Sequence, residues 1–172
     1  MNFLFKIIFP VAVLCIVAFG SYKLGQQNQI IAMEKPAKER VIEYIHQQRA
    51  SQKEVDLTKK FGNNFSKMNF DGVDLSNVIL KNADLSYANL KNANIQGSNL
   101  SGSNLKYANL SRVKLQGSVL DNTDFSYANL SKSELNGVSI KKANFSYANL
   151  KNANLCMRKP NNFVEKSFCK IY

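Results

Sequence analysis

The chain has 172 residues, with 23 Lys or Arg against 12 Asp or Glu and a net charge of +11. With no Trp, one His and three Cys, it lacks the side chains from which most metal centres and acid–base sites are assembled, and one folded domain is expected.

Residues 1–25 read as a signal peptide or a transmembrane anchor. A short basic start ending at Lys6 precedes an apolar run from Ile7 to Phe19 broken only by Pro10, and Ala18-Phe19-Gly20 has the small-x-small pattern of a cleavage site. As a helix the run spans about 20 Å, short of the ~30 Å hydrocarbon layer. Extended from Leu4 to Leu24, with Lys6 and Lys23 snorkelling, it reaches ~31 Å. Both readings stand: an anchor contacting the membrane through residues 4–24 with the remainder outside the cytoplasm, or a cleaved leader and a secreted or periplasmic product. Cys15 reads as an apolar filler of this run.

Residues 26–60 turn to Gln, Lys and Glu and read as a polar helical stalk. Pro36 suits a first helical turn, and Val41, Ile42, Tyr44 and Ile45 supply a modest apolar face up to about Ala50. His46 has no second His or Cys beside it and reads as a solvated helix residue.

From 61 to 157 the pattern changes. Every fifth residue from Phe65 through Phe70, Leu75 and Leu80 to Leu155 is Leu, Ile or Phe, nineteen in phase. The residue two before is usually small (Ala83, Ala88, Ala93, Ser98), and the one just before is mostly Asn or Asp (Asp84, Asn89, Asn94). A period of five suits neither a helix nor a long strand. It suits a short extended piece with two inward side chains and a turn, wound into coils that bury their apolar faces by stacking. A second period of twenty brings back Tyr-Ala-Asn-Leu at Tyr87, Tyr107, Tyr127 and Tyr147, and Gly at Gly97, Gly117 and Gly137, which makes four sides per coil. An Asn ladder through Asn69, Asn89, Asn109, Asn129 and Asn149 is expected to join the coils.

Units such as Tyr87-Ala88-Asn89-Leu90-Lys91 resemble the A(D/N)Lxx motif of the pentapeptide-repeat family. The resemblance covers roughly residues 63–157 and implies an all-β solenoid, a right-handed quadrilateral β-helix with four pentapeptides per coil. The motif is broken by Met68, Val73, Val78, Val113 and Val138 two before the centre, and by Ile79, Lys114, Val119, Glu134 and Ser139 just before it. Widened or irregular coils are expected there.

Residues 158–172 read as a C-terminal cap, with a short helix opening at Pro160-Asn161-Asn162 and Phe163, Val164, Phe168 and Ile171 covering the last coil. Cys156 and Cys169 bracket it, and in an exported protein they are expected to form a disulfide.

The parts for catalysis are missing: no phosphate-binding glycine loop, no Cys-x-x-Cys, and repeat carboxylates that occupy outward positions. No catalytic residue, metal ligand or cofactor is assigned, and enzyme is the rejected class. Two binding roles remain. One is a membrane-anchored or exported scaffold for a protein partner, with Tyr87, Tyr107, Tyr127 and Tyr147 as the binding residues; their alternative role is mutual stacking. The other is a cytosolic, topoisomerase-binding member of the DNA-mimicking type that the resemblance also implies. Ten basic against six acidic residues in the repeats speak against DNA mimicry. Basic residues spread along the repeats rather than gathered in a stripe speak against a nucleic-acid partner.

Overall fold

A computed structural model describes residues 35–157 and 169–171. The apolar segment 1–25 and the helix expected from Pro160 lie outside the described residues, among which no helix is long and apolar enough to cross a membrane. Two compact units are present, Met1–Arg40 and Val41–Tyr172. The described part of the first ends with the opening turn of helix α1, Ala37–Ala50.

The repeat region is a β-helix solenoid. Its coil length follows from parallel pairing at a spacing of twenty, with Asn69 beside Asn89, Asn89 beside Asn109 and Asn109 beside Asn129. Most pentapeptides use their backbone alike, an exception being Val78, whose N–H donates to Ser98 Oγ at 3.1 Å. In the unit centred on Leu90, the Leu90 N–H donates to the Asn109 carbonyl at 2.7 Å, the Asn92 N–H to Ser111 at 3.0 Å, and the Asn89 N–H to Met68 at 2.9 Å. The Ala93 N–H closes the turn onto the Leu90 carbonyl at 3.1 Å. The third residue of that turn has φ of 56°, and a positive φ recurs at every fifth position from Lys67 to Asn152, as a type II turn demands.

Inward residues form one core. Leu85, Leu90, Ile95, Leu100, Leu105 and Leu110 are fully buried, as are the small partners Ala83, Ala88, Ala93 and Ala108. Most of the hydroxylated small residues satisfy their oxygen internally: Ser98 Oγ donates to the Leu75 carbonyl and Ser118 Oγ to that of Ile95, both at 2.7 Å, whereas the buried Ser133 Oγ has no partner. Phe125 and Phe145 stack inside with centroids 4.9 Å apart.

Irregularity falls on part of the sequence that breaks the motif. Strand β3, Glu134–Val138, pairs in parallel with β4, Asn154–Met157, and its register shifts between Asn136 and Val138. Val113, equally bulky, keeps regular bonds to Leu110 and from Glu134. β5, Cys169–Ile171, returns antiparallel to β4.

The expected stalk is corrected by the packing at the other end. Val41 and Ile45 of α1 are buried in the solenoid's core cluster, and Ile42, Tyr44 and Phe61 pack against it. The chain then runs through β1, Val55–Asp56, which pairs in parallel with β2, Val78–Ile79, and through the single-turn helix α2, Leu57–Phe61, whose N-cap Asp56 accepts from the Lys59 N–H at 2.8 Å. Arg49 ties α1 to the first full coil, donating to Asp74 Oδ2 at 2.9 Å and to the Ser76 carbonyl at 2.7 Å. The helix is polar overall because only two of its turns face the core. It closes the end of the solenoid, which would otherwise expose apolar side chains and unpaired backbone.

A core position and a stalk position respond differently to truncation. Ile45→Ala is expected to lower the urea unfolding free energy of the full chain by about 2–4 kcal/mol; a solvated stalk would lose no more than ~0.5 kcal/mol.

Candidate interaction face

Outward positions form columns, and two of these columns border one flat face. The first border is the tyrosine column. Tyr87, Tyr107, Tyr127 and Tyr147 occupy the third turn position of successive coils with φ of 59–60°, a conformation bulky residues avoid. Their rings stack in sequence at centroid distances of 4.9, 5.0 and 5.0 Å and interplanar angles of 11–13°. Each offset pair contributes on the order of 0.5–1.5 kcal/mol, comparable with the ~1–2 kcal/mol cost of the left-handed backbone. All four rings remain exposed, from 48% at Tyr107 to 80% at Tyr147, the last ring of the column among the described residues. Lys67 begins the same column, also at positive φ.

The floor is the expected Asn ladder. Each carboxamide donates to the one before it, at 3.1 Å from Asn89 to Asn69, 3.2 Å from Asn109 to Asn89, 3.5 Å from Asn129 to Asn109 and 3.3 Å from Asn149 to Asn129. Every Oδ1 also accepts the backbone N–H two residues on, as Asn109 does from Ser111 at 3.2 Å. One N–H of each carboxamide from Asn89 to Asn149 serves the ladder, and the other is not used by it.

The far border is basic. Lys91, Arg112, Lys132 and Lys151 supply one exposed cation per coil at the next corner. Sequence reasoning read these charges as dispersed and missed the stripe, because Lys91 and Lys151 hold the second turn position and Arg112 and Lys132 the third, which breaks the strict period of twenty. Arg112 and Lys132 stand on neighbouring coils: the Arg112 N–H donates to the Ser131 carbonyl, next to Lys132, at 2.9 Å. Lys142 lies ten residues out of phase with them, at the diagonally opposite corner.

Beyond the tyrosines the adjacent ladder alternates Asn with Asp. Asn104 donates to Asp84 and Asn144 to Asp124, each at 3.1 Å, but a carboxylate has no proton to pass to Asn104. Lys106 lies 3.9 Å from Asp124 instead. Burial alone would raise the Asp124 carboxyl; the Ser126 backbone N–H, the Lys106 charge and the Asn144 amide outweigh it and hold it below its ordinary value of 3.8.

The described residues contain no cluster of His, Cys, Asp or Glu able to hold a metal. The arrangement presents donors: phenol hydroxyls, carboxamide N–H groups, ammonium and guanidinium groups. The backbone register sets Cys156 directly opposite Cys169.

Comparison with known proteins identifies the class. The family model described as pentapeptide repeats matches in eight copies over residues 64–97, 83–122, 103–140 and 118–155, and the chain belongs to that family. Its solenoid is therefore of the right-handed β-helix type. A pentapeptide repeat protein from the Arabidopsis thaliana thylakoid lumen is 26% identical with a TM-score of 0.52, over 53% of this chain and 63% of that one. HetL from the cyanobacterium Nostoc sp. strain PCC 7120, involved in heterocyst differentiation regulation, is 31% identical over 59% of this chain and 51% of its own, with a TM-score of 0.32. Rfr23 from the cyanobacterium Cyanothece 51142 is 36% identical over 50% and 55%, with a TM-score of 0.35. The chain thus spans about half to less than two thirds of these solved structures. No curated protein matches it significantly.

The lowered Asp124 gives a signed expectation. A depressed folded pKa stabilises above the unfolded value of about 3.9 and ceases to do so as pH falls through the folded one. Asp124→Asn removes that term and supplies the missing donor to Asn104. Between pH 6 and pH 2 the variant should gain on the parent chain by up to about 1 kcal/mol, discounted for partial exposure, as read from denaturant unfolding across pH.

Proposed function

We propose that this protein is a non-enzymatic scaffold that holds an acidic protein partner against the face between the tyrosine column and the Lys91–Lys151 edge. One observation carries the reading: four exposed, stacked rings and four exposed cations flank a carboxamide floor whose remaining groups are donors. Rigid aromatics give contact area at little entropic cost, and a row of donors and cations complements carboxylates. Pentapeptide repeat proteins mediate protein–protein interaction, which favours a protein over a nucleic acid. Asp84 and Asp124 behind the tyrosines would oppose a polyphosphate, even though the basic edge is a stripe. The topoisomerase-binding role requires an acidic, DNA-like surface, and this edge has the opposite sign.

The run from Ile7 to Phe19 after Lys6 supports placing the scaffold at the cytoplasmic membrane with its repeats outside the cytoplasm, or in the periplasm or medium after cleavage. Fractionation of the host, with the size of the mature chain, separates the two.

A photo-cross-linking residue at position 109, on the carboxamide floor, and another at position 99, on the opposite side, test the face. Position 109 should yield one nuclease-resistant adduct with an acidic protein that position 99 does not. Tyr107→Ser with Tyr127→Ser should abolish the adduct, and Arg112→Ala with Lys132→Ala should weaken it roughly tenfold or more. Equal adducts from both positions, or loss only in a variant that has unfolded, would refute the face; a nuclease-sensitive adduct would make the partner a nucleic acid.

A further inference from the structure

We infer that Cys156 and Cys169 form a cross-strand disulfide that fastens the returning C-terminal strand to the last coil. The inference rests on backbone register and is independent of the tyrosine face. β4 and β5 pair antiparallel with Asn154 opposite Ile171, Leu155 opposite Lys170, and Cys156 opposite Cys169. Directly opposed residues of antiparallel strands have Cα atoms about 4.5 or 5.5 Å apart. Both spacings lie inside the ~4.4–6.8 Å that a disulfide bridges without moving the backbone. A one-residue slip would set Cys156 against Lys170 and remove the opportunity. The chain's third cysteine, Cys15, belongs to the N-terminal apolar run.

The bond acts where an open-ended solenoid is most exposed. Successive coils pair in parallel, and among the described residues the strand on the other side of β4 is β5. Among the described elements β5 is the one antiparallel strand, and it covers this edge over three residue pairs. Three pairs hold a strand weakly, so its attachment depends on what else joins it to β4. An uncovered edge is a template for another chain. The bond therefore controls whether the last coil is closed or open to a second copy.

The chemistry needs an oxidant, here a disulfide donor. One cysteine thiolate attacks the donor, forming a mixed disulfide and expelling one donor thiolate; the second cysteine thiolate then displaces the other donor sulfur. Two thiols give up two protons and two electrons, and the donor disulfide becomes two thiols.

The test uses the full chain carrying Cys15→Ser in mild detergent, treated with glutathione disulfide and then with reductant, beside the same chain carrying Cys156→Ser and Cys169→Ser. Oxidation should leave no alkylatable thiol, remove two hydrogens from the mass, and give a single linked peptide joining Cys156 to Cys169. Reduction should then speed amide exchange in Asn154–Met157 by about tenfold or more and favour dimers, with no effect of reductant on the double-serine chain. Free thiols after oxidation, stable glutathione adducts, bonds only between chains, or exchange indifferent to reduction would each overturn the proposal.

Discussion

One hydrogen bond per pentapeptide governs this structure. Of the five backbone N–H groups in a unit, three donate to neighbouring coils and one closes the turn, as around Leu90. The fifth, just after the central apolar residue, has no backbone acceptor in that pattern. The Asn or Asp preceding the centre supplies one: Ser86 donates to Asp84 at 3.0 Å, Ser101 to Asn99 at 3.0 Å and Lys106 to Asn104 at 3.1 Å. An N–H left unpaired there costs on the order of 1–3 kcal/mol, and the penalty would recur in every unit. In one of the five units that lack the residue, another coil supplies the acceptor. Ser139 cannot serve, and Asp121 of the preceding coil takes over, accepting both the Lys141 N–H at 2.9 Å and the Ser139 hydroxyl at 2.6 Å.

The same bond selects Asn over Asp where a ladder runs the whole length. A carboxamide accepts the local N–H and still has protons for its neighbour, so rungs propagate through five coils from Asn69 to Asn149. A carboxylate accepts twice and stops. Alternation of Asn104 with Asp84 and Asp124 yields isolated rungs, with Lys106 completing the surroundings of Asp124. Small inward residues follow from the narrow coil in a related way: they leave room for the central side chains, and hydroxylated ones such as Ser98, Ser118 and Thr123 donate a hydrogen bond to a buried carbonyl.

This explains how far the sequence could be read. Periods of five and twenty encode the coil directly, because each column repeats one physical task, and the tyrosine column and carboxamide ladder stand where those periods place them. The fate of residues 37–61 was not legible in the same way. Val41 and Ile45 offer a short apolar stripe that suits a solvated helix as well as a cap, and what decides between them is the open end of the first coil, a tertiary feature. The bulky Val113 and Val138 look equivalent as letters, yet only the latter accompanies a register shift, at the coil where the parallel ladder ends.

The corners carry the remaining argument. Each turn requires a positive φ, which glycine adopts freely and asparagine with little strain. Gly72, Gly97, Gly102, Gly117 and Gly137 meet that need, as do Asn77, Asn82, Asn92, Asn122 and Asn152. At Gly102 a Cβ would also lie 2.3 Å from Asn82 Oδ1, so the Asn82 side chain would have to move to admit it. Against that background Tyr at four corners and Lys67, Arg112, Lys132 and Lys142 at four others are costly choices. Ring stacking offsets the cost for the tyrosines, whereas stacked cations repel one another and offset nothing. Costly residues with no folding benefit mark the places where a structure serves something besides its own stability. Lys67 and Lys142 carry the same cost elsewhere, but Arg112 and Lys132 carry it side by side on neighbouring coils of one edge; they are the more informative border of the face, and the tyrosines are the part whose geometry the fold itself maintains.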